Sequence, residues 1–357
     1  MAKKAMIAMS GGVDSSVAAY IIKEQGYDAT GVTLKLYDND DICKTEKTCC
    51  SLDDVEDARA VANRLGMPYY VFNFKADFKK CVIDRFINAY ECGATPNPCI
   101  DCNRFLKFEK LYRRALEIEC DYIVTGHYAR IEKCGDRYLL KKAKDHTKDQ
   151  SYVLYSLTQE QLAHTKFPLG EYEKSEVREI AERNGFVNAR KHDSQDICFV
   201  PDGDYAKIIE LHTKKSYPVG KFVDKSGNVL GEHNGIIRYT IGQRKGLGLA
   251  LPEPLYVCEK RMDTNEVVLG RNEDLFSKEF SISDVNWIAF NEPPEKLHAN
   301  VKIRYRQLEQ PAEITVTGKN EVRIVFDEPQ RAITSGQAAV FYDGDVVIGG
   351  GTISSTN

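Results

Sequence analysis

The sequence predicts an α/β protein in three parts: a parallel-sheet domain over residues 1–200, a small central domain over 201–275 and a C-terminal β-barrel or sandwich over 276–357. Three observations predict it. The first half alternates apolar strand-like runs with helical periodicities, the mark of a parallel sheet flanked by helices. After about Pro201 glycine and proline become frequent and helical periodicity largely disappears. From about Phe280 onward, short alternating runs are separated by polar turns, which suits a closed or stacked antiparallel sheet.

The elements follow in order. Ala5 to Met9 reads as a buried strand, and Ser15 to Glu24 as a helix with Val17, Ala18, Ile21 and Ile22 on one face. Thr30 to Leu36 is a second strand. Asp53 to Leu65 is a helix ended by Gly66. Tyr69 to Phe74 is a strand, Phe78 to Tyr90 and Arg104 to Ile118 are helices, and Tyr122 to Thr125 is a strand closed by Gly126. Tyr128 to Ala143 predicts a hairpin turning at Gly135-Asp136. Ser151 to His164 and Ser175 to Gly185 return to helix. Val301 to Arg306, Ala312 to Val316, Val322 to Phe326 and Ala338 to Tyr342 are strands. On the first of these, Lys302, Arg304 and Arg306 would share one face and could track phosphates, or simply be a solvated edge.

Composition is that of an ordinary globular chain, with 42% hydrophobic and 29% charged residues. No run of about 18 apolar residues is present, so no membrane span is expected. Eleven cysteines, an odd number, with no signal peptide predict a reducing, cytoplasmic setting. A net charge of −4 means that any nucleic-acid partner must meet a local basic surface.

Ser10-Gly11-Gly12-Val13-Asp14-Ser15-Ser16 joins the first strand to the first helix. Two glycines permit a tight turn whose N–H groups approach an anion, and the helix dipole and serine hydroxyls would add to the cradle. The loop lacks the lysine and spacing of a Walker A motif. It resembles the SGGxDS loop of the ATP pyrophosphatases. The plainer reading is a glycine turn with an N-cap.

Thr95-Pro96-Asn97-Pro98-Cys99-Ile100-Asp101-Cys102-Asn103 is a proline-bounded loop ahead of a helix. A C-x-x-C pair is a redox couple or half a metal site. Cys102 beside the helix N-terminus would be expected to have a lowered thiol pKa. Cys198 follows the acidic Asp193 and Asp196, and is a second reactive candidate or a buried core thiol. Cys43, Cys49 and Cys50 read as loop thiols, with a metal site as the alternative.

These segments, together with Cys49-Cys50-Ser51, Gly126-His127-Tyr128-Ala129-Arg130, Lys148-Asp149-Gln150-Ser151-Tyr152, Ser194 to Phe199, Tyr239 to Leu247 and Gly336-Gln337, occur in the order seen in the tRNA-specific 2-thiouridylase family, which the chain resembles over nearly its whole length. The resemblance implies an N-type ATP pyrophosphatase domain (the adenine nucleotide alpha hydrolase-like fold), a small central domain and a C-terminal β-barrel. It implies ATP contacts at Ala8, Met9, Ser10, Gly11, Gly12, Val13, Asp14, Ser15, Leu34 and Gly126, with Mg2+ accompanying the nucleotide. Asn97, Pro98 and Cys99 would surround the target base. Cys102 would be the nucleophile and Cys198 the persulfide carrier, with a Cys102–Cys198 disulfide formed in turnover. His127, Lys148, Asp149, Gln150, Arg304, Tyr305 and Gln337 would meet the anticodon region of tRNA, with Arg244 and Lys245 as a further anchor. The partners implied are tRNA and a sulfur-donor protein, either a cysteine desulfurase or a relay. The reaction implied is adenylation of the C2 oxygen of the wobble uridine in tRNAs for Lys, Glu and Gln, followed by sulfur transfer.

Some members of that family carry an acidic residue where this chain has Cys99. Three thiols, Cys99, Cys102 and Cys198, could then hold a [4Fe-4S] cluster with one open iron, an alternative route for the sulfur. A different enzyme reading, an ATP-dependent amide ligase, would need no cysteine pair. A non-enzymatic redox-sensing RNA binder would release no pyrophosphate.

Overall fold

The computed structural model describes residues 2–37, 52–192, 197–200, 202–250 and 252–356. Cys43, Cys49, Cys50, Ser51 and Asp193 to Asp196 lie outside the described residues. The chain opens with β1 (Lys4–Ala8), α1 (Val13–Glu24), β2 (Asp28–Lys35), α2 (Leu52–Arg64) and β3 (Tyr69–Asn73). A helix follows in three stretches: α3 (Lys75–Phe78), a π-wound turn (Lys79–Ile83) and α4 (Asp84–Glu91). A second composite helix joins α5 (Pro98–Asp101), a π-wound stretch (Cys102–Lys110) and α6 (Leu111–Glu117). Next come β4 (Tyr122–Thr125), the hairpin β5 (Arg130–Cys134) and β6 (Arg137–Lys141), α7 (Gln159–Ala163), β7 (Thr165–Lys166) and α8 (Lys174–Arg183).

The first sheet is parallel throughout, in the order β3-β2-β1-β4-β7. Chain order reverses at β1, between β2 and β4. The carboxyl end of β1 is therefore the switch point where such sheets open a ligand crevice. β1 is apolar because both faces are covered: Ala5, Met6 and Ile7 are fully buried.

The central part contains α9 (Tyr205–Thr213) and a four-stranded sheet ordered β10-β11-β8-β9, with β8 (Gly220–Asp224), β9 (Val229–His233), β10 (Tyr256–Arg261) and β11 (Glu266–Gly270). α9 corrects the expectation that helical periodicity ends near Pro201. Asp204 starts it by accepting the Lys207 amide at 3.0 Å, and Ala206, Ile208 and Ile209 are buried beneath it.

The C-terminal strands are β12 (Phe276–Trp287), β13 (Lys296–Lys302), β14 (Gln310–Gly318), β15 (Glu321–Arg331), β16 (Ala338–Asp343) and β17 (Val346–Thr356). They run β12-β15-β14-β13-β16-β17, and β17 pairs back onto β12, so six antiparallel strands close into a barrel. Closure removes the exposed sheet edges. The predicted hairpin is present, and β6 adds to β17 through Lys141 opposite Val346 and Leu140 opposite Val347. Nothing in the hairpin's own residues foretold that partner.

Two further expectations are corrected. Ser151 to His164 is not one helix: Ser151–Leu154 is a 3-10 turn, and α7 starts afresh at a capping box. There Thr158 accepts the Gln161 amide at 3.2 Å and Gln161 accepts the Thr158 amide at 3.0 Å. β13 ends at Lys302, and the Gln307 amide bonds the Arg304 carbonyl at 3.2 Å in a turn. Lys302, Arg304 and Arg306 therefore form no period-two row. Lys302 lies 5.9 Å over the rings of both Tyr152 and Tyr305, Arg304 turns inward, and Arg306 is exposed.

Gly350 of β17 marks how closely the barrel packs on the N-terminal half. A Cβ there would lie 2.7 Å from the Ala339 carbonyl oxygen and 2.8 Å from Tyr155 Cδ2. Gly350→Ala should cost about 1–3 kcal/mol through overpacking, read as a lower denaturation midpoint. Gly318→Ala, whose nearest atom would be 3.6 Å away, should leave the midpoint unchanged.

Candidate active site

The loop after β1 is shaped by backbone pressed on backbone. Gly11 has φ +75°, and a Cβ on it would lie 2.3 Å from the Asp54 carbonyl oxygen of α2. Gly126, at the end of β4, would place a Cβ 2.8 Å from both the Asp14 carbonyl carbon and the Ser15 nitrogen. Only glycine fits either position. The Ser10 amide donates to Ser15 Oγ at 3.1 Å. The Ser15 and Ser16 hydroxyls both donate to the Gly12 carbonyl, at 3.0 and 3.1 Å, and both side chains are buried. In this arrangement the two hydroxyl protons shape the loop. Ser10 is exposed. The α1 N-terminus carries no side-chain cap at Gly12, so its first amides remain open to an anion.

Residues from far along the chain brace this loop, and sequence reasoning missed them. Asp14 Oδ1 accepts Lys174 Nζ at 2.6 Å and Tyr128 Oη at 2.8 Å. Asn188 Nδ2 donates to the Gly11 carbonyl and to Ser16 Oγ, each at 2.9 Å. Lys191 Nζ bonds Asp54 and Asp57, each at 2.7 Å. Burial works against that ammonium's charge, but the two carboxylates outweigh it and hold its pKa above the usual lysine value. The helix expected from Ser175 to Gly185 carried no sign of this, for nothing in its spacing tied Lys174 to Asp14.

Ala8, Met9, Val13 and Leu34 line the carboxyl ends of β1 and β2. Met9, Val13 and Leu34 are 2%, 3% and 8% exposed. The Met9 amide donates to the Val32 carbonyl at 2.8 Å, and Thr33 Oγ1 donates to the Met9 carbonyl at 2.6 Å.

The cysteine loop is held from the barrel. The Thr95 amide donates to the Ser335 carbonyl at 2.9 Å, and Gln337 Nε2 donates to the Thr95 carbonyl at 2.6 Å. Asn97 Oδ1 accepts the Cys99 amide at 3.1 Å, and Pro98 opens the helix. Cys99 is exposed; Cys102, one turn on, is half-buried. Burial pushes the Cys102 thiol up, while Lys107 pulls it down and Asp101 adds to the rise. This corrects the expected lowering at a helix N-terminus: the helix begins at Pro98, so Cys102 has passed the open amides and packs against apolar side chains.

Cys198 packs against the same apolar cluster as Cys102, one built from Leu34, Tyr37, Phe78, Phe86, Leu106 and Phe199. Tyr37 Oη donates to the Cys198 carbonyl at 3.0 Å. Phe199 anchors the segment edge-on between Phe78, at 5.7 Å, and Phe86, at 5.3 Å. The two predicted thiols thus pack on the same extended apolar cluster that contains Leu34.

The residues expected to meet tRNA fall into two groups. Asp149, Gln150 and Arg304 are structural ties. Asp149 accepts the amides of Ala143 and Ser151, and Gln150 exchanges two hydrogen bonds with the Tyr128 backbone. Arg304 donates to the Ala332 carbonyl at 2.6 Å and Thr334 Oγ1 at 2.9 Å. His127 is buried between Phe108 and Phe167, with Nδ1 2.7 Å from Thr125 Oγ1, and burial holds its imidazole neutral. Tyr305 is 37% exposed, its ring 6.0 Å from that of Tyr152, and it feels the charge of Cys99. Arg244 and Lys245 are exposed, and Arg244 lines a cleft of about 570 Å³ with Leu247 and Leu255.

Among the described residues no three His, Cys, Asp or Glu side chains are gathered closely enough to hold a metal ion, so Cys99, Cys102 and Cys198 do not converge into an iron–sulfur ligand set. Asp14 Oδ1 is engaged by both Lys174 and Tyr128. No helix of the described residues is long and apolar enough to cross a membrane.

A glycine-serine loop at the switch point of a parallel sheet, followed by a closed barrel, is the architecture expected of the ATP pyrophosphatase type. Residues 3–202 match the family model described as a tRNA methyl transferase HUP domain, 207–271 the tRNA methyl transferase PRC-barrel domain and 277–353 an aminomethyltransferase beta-barrel domain. The chain is 55% identical to the tRNA-specific 2-thiouridylase MnmA of Clostridioides difficile (strain 630), over 100% of this chain and 99% of that protein. It is 51% identical to the MnmA of Clostridium kluyveri, over 99% of this chain and 100% of that protein. A solved 4-thiouridine synthetase–RNA complex with bound ATP is 19% identical with a TM-score of 0.34, covering 58% of this chain and 50% of that one, too distant to carry an argument. The chain belongs to the tRNA-specific 2-thiouridylase family.

Two outcomes follow from the site. Gly11→Ala should weaken ATP binding about tenfold or more in a direct binding titration, because strain at a left-handed residue adds to the clash with α2. Alkylation of Cys102 in the resting protein, followed by mass spectrometry, should still be accelerating above the ordinary thiol midpoint of about 8.5, since burial favours its protonated form.

Proposed function

We propose that this chain is an ATP-dependent tRNA 2-thiouridylase that modifies the wobble uridine of tRNAs for Lys, Glu and Gln. What supports the reading is the family membership, together with Cys102, Cys198 and Leu34, which all belong to or pack on one extended apolar cluster.

The chemistry needs both the nucleotide and the two thiols. The C2 oxygen of uridine is a poor leaving group. Transfer of AMP from ATP to that oxygen releases pyrophosphate and turns the oxygen into a phosphate ester that leaves readily. The open amides of α1 and the loop backbone hold the phosphates in place. Mg2+ arrives with the nucleotide and neutralises pyrophosphate charge. Cys198 carries a persulfide loaded by a sulfur-donor protein. Cys102, as thiolate, attacks the inner sulfur and releases hydrosulfide, leaving a Cys102–Cys198 disulfide. The hydrosulfide forms the C–S bond at C2 as the C2–O bond breaks and AMP departs. A dithiol reductant then restores the pair. The target base must swing out of the anticodon stack, and Asn97, Pro98 and Cys99 flank its entry. Tyr305, half-open beside Cys99, supplies an aromatic face for a neighbouring base. The enzyme works in the cytoplasm, where thiols stay reduced.

The test is anaerobic assay of purified protein with tRNA, ATP and a persulfide donor, following pyrophosphate and 2-thiouridine together with iron content. Wild type should yield both products without iron. Cys102→Ser and Cys198→Ser should lose 2-thiouridine by at least about 10³-fold. Undiminished activity in either variant would point instead to an amide-ligase chemistry. Activity that tracks iron content would point to a cluster.

A further inference from the structure

Asn188 lies in the stretch that follows α8, and its neighbours fix it there. Phe186 and Ala189 are buried in one apolar cluster with Val13 and Val17 of α1. The Ala189 amide donates to the Phe186 carbonyl at 3.1 Å, and Arg178 reaches the carbonyls of Ala189 and Lys191 at 3.4 and 3.3 Å. Asn188 itself is 2% exposed. Its Nδ2 donates twice at 2.9 Å, once to the Gly11 carbonyl and once to Ser16 Oγ. A carbonyl only accepts, so the amide can sit only this way round. Its Oδ1 is then left buried with no partner among the described residues. An orphaned buried acceptor is destabilising, so shape alone would favour leucine here. What asparagine adds is the pair of donated bonds.

Those bonds set where the loop's own donors point. In a trans peptide the C=O and the N–H lie on opposite sides of the chain. The Gly11 carbonyl shares its peptide with the Gly12 N–H, and the Gly12 carbonyl shares its peptide with the Val13 N–H. Asn188 holds the first carbonyl directly. It holds the second through Ser16, whose Oγ accepts from Nδ2 and donates to the Gly12 carbonyl at 3.1 Å, beside the Ser15 hydroxyl at 3.0 Å. With both carbonyls kept on the Asn188 side, both N–H groups face the other way. Among the described residues no protein group accepts either N–H. Lys191 Nζ is 3.4 Å from the Gly11 carbonyl but bonds Asp54 and Asp57 at 2.7 Å, so it is the weaker hold.

Two N–H groups held in this way are a preorganised anion donor at the end of β1. We propose that Asn188 is a positioning residue for adenylation, its amide aiming the Gly12 and Val13 N–H groups at the pyrophosphate that leaves ATP. In that step the C2 oxygen bonds the α-phosphorus as the bond from that phosphorus to the bridging oxygen breaks. The electron pair leaves with pyrophosphate, and the proton on N3 of the base passes to water. Charge on the leaving group grows toward the transition state, so aimed donors act on turnover more than on resting ATP binding. The inference rests on the adenylation reading above.

Full-length Asn188→Leu and Asn188→Asp would be compared with wild type by pyrophosphate release at saturating tRNA, over a range of ATP and with a persulfide donor present. Leucine has a similar shape and no donor; ionised aspartate keeps the shape with acceptors only. Both leave Gly11 against α2 and free the two peptide planes to turn. Each should lower kcat about 100-fold, as for loss of a preorganised donor, with KM for ATP within about threefold of wild type. Asn188→Leu should keep its denaturation midpoint within about 3 °C, because the orphaned acceptor is removed along with the two bonds. A kcat within about threefold of wild type, or a KM that rises by as much as kcat falls, overturns the proposal. Should Asn188→Leu not fold, Asn188→Asp is read by the same two criteria. If wild type itself releases no pyrophosphate with tRNA, the functional reading falls first and this inference with it.

Discussion

The structure depends on a single carboxylate held in place. Asp14 sits in the first turn of α1, and its Oδ1 takes both the Lys174 ammonium and the Tyr128 hydroxyl. Lys174 is nearly buried and Asp14 is about one-third open, so each would be costly to leave unpaired. This contact ties the phosphate loop to α8 on one side and to the segment after β4 on the other. The loop can then keep its left-handed Gly11 against α2 and leave its amides facing the crevice.

From Tyr128 the constraint runs on into the barrel. Its backbone exchanges hydrogen bonds with Gln150, and Asp149 and Ser151 follow at once. Ser151 Oγ lies 3.3 Å from Tyr342 Oη of β16, and Tyr152 Oη donates to the Ala338 carbonyl at 2.9 Å. The barrel returns the contact through Ser335 and Gln337, which fasten Thr95 just ahead of the cysteine helix. The residues that the family resemblance assigns to tRNA are thus also the fasteners between phosphate loop, cysteine loop and barrel. Substrate bound across them would sense the nucleotide crevice directly.

Burial governs the sulfur chemistry. Cys102 sits past the helix's open amides and against apolar side chains, so the resting thiol is kept protonated. Such a thiol is protected from stray oxidation and alkylation, and it needs a local positive charge when the substrate arrives. Cys99 is exposed one turn earlier.

The sequence by itself determined the layered α/β half, the phosphate loop and the two thiols worth watching. Each is written in local terms: β1 is apolar because both its faces are covered, Gly11-Gly12 follow it directly, and Cys102 lies in a Pro-bounded C-x-x-C. Local signals failed where a partner decided the outcome. The Ser151–His164 stretch looked helical, but Thr158 and Gln161 capped a new helix within it. The alternation at Lys302, Arg304 and Arg306 looked like a strand face, but Arg304 turned inward to reach Ala332 and Thr334. Only the tertiary structure decided that Lys174 pairs with Asp14, that the β5–β6 hairpin extends the barrel sheet at β17, and that Cys102 is half-buried among apolar side chains past the helix's open amides. The physical reason is plainest in the first two: residues more than a hundred positions apart supply the missing charge or strand edge, and no spacing within a segment records them.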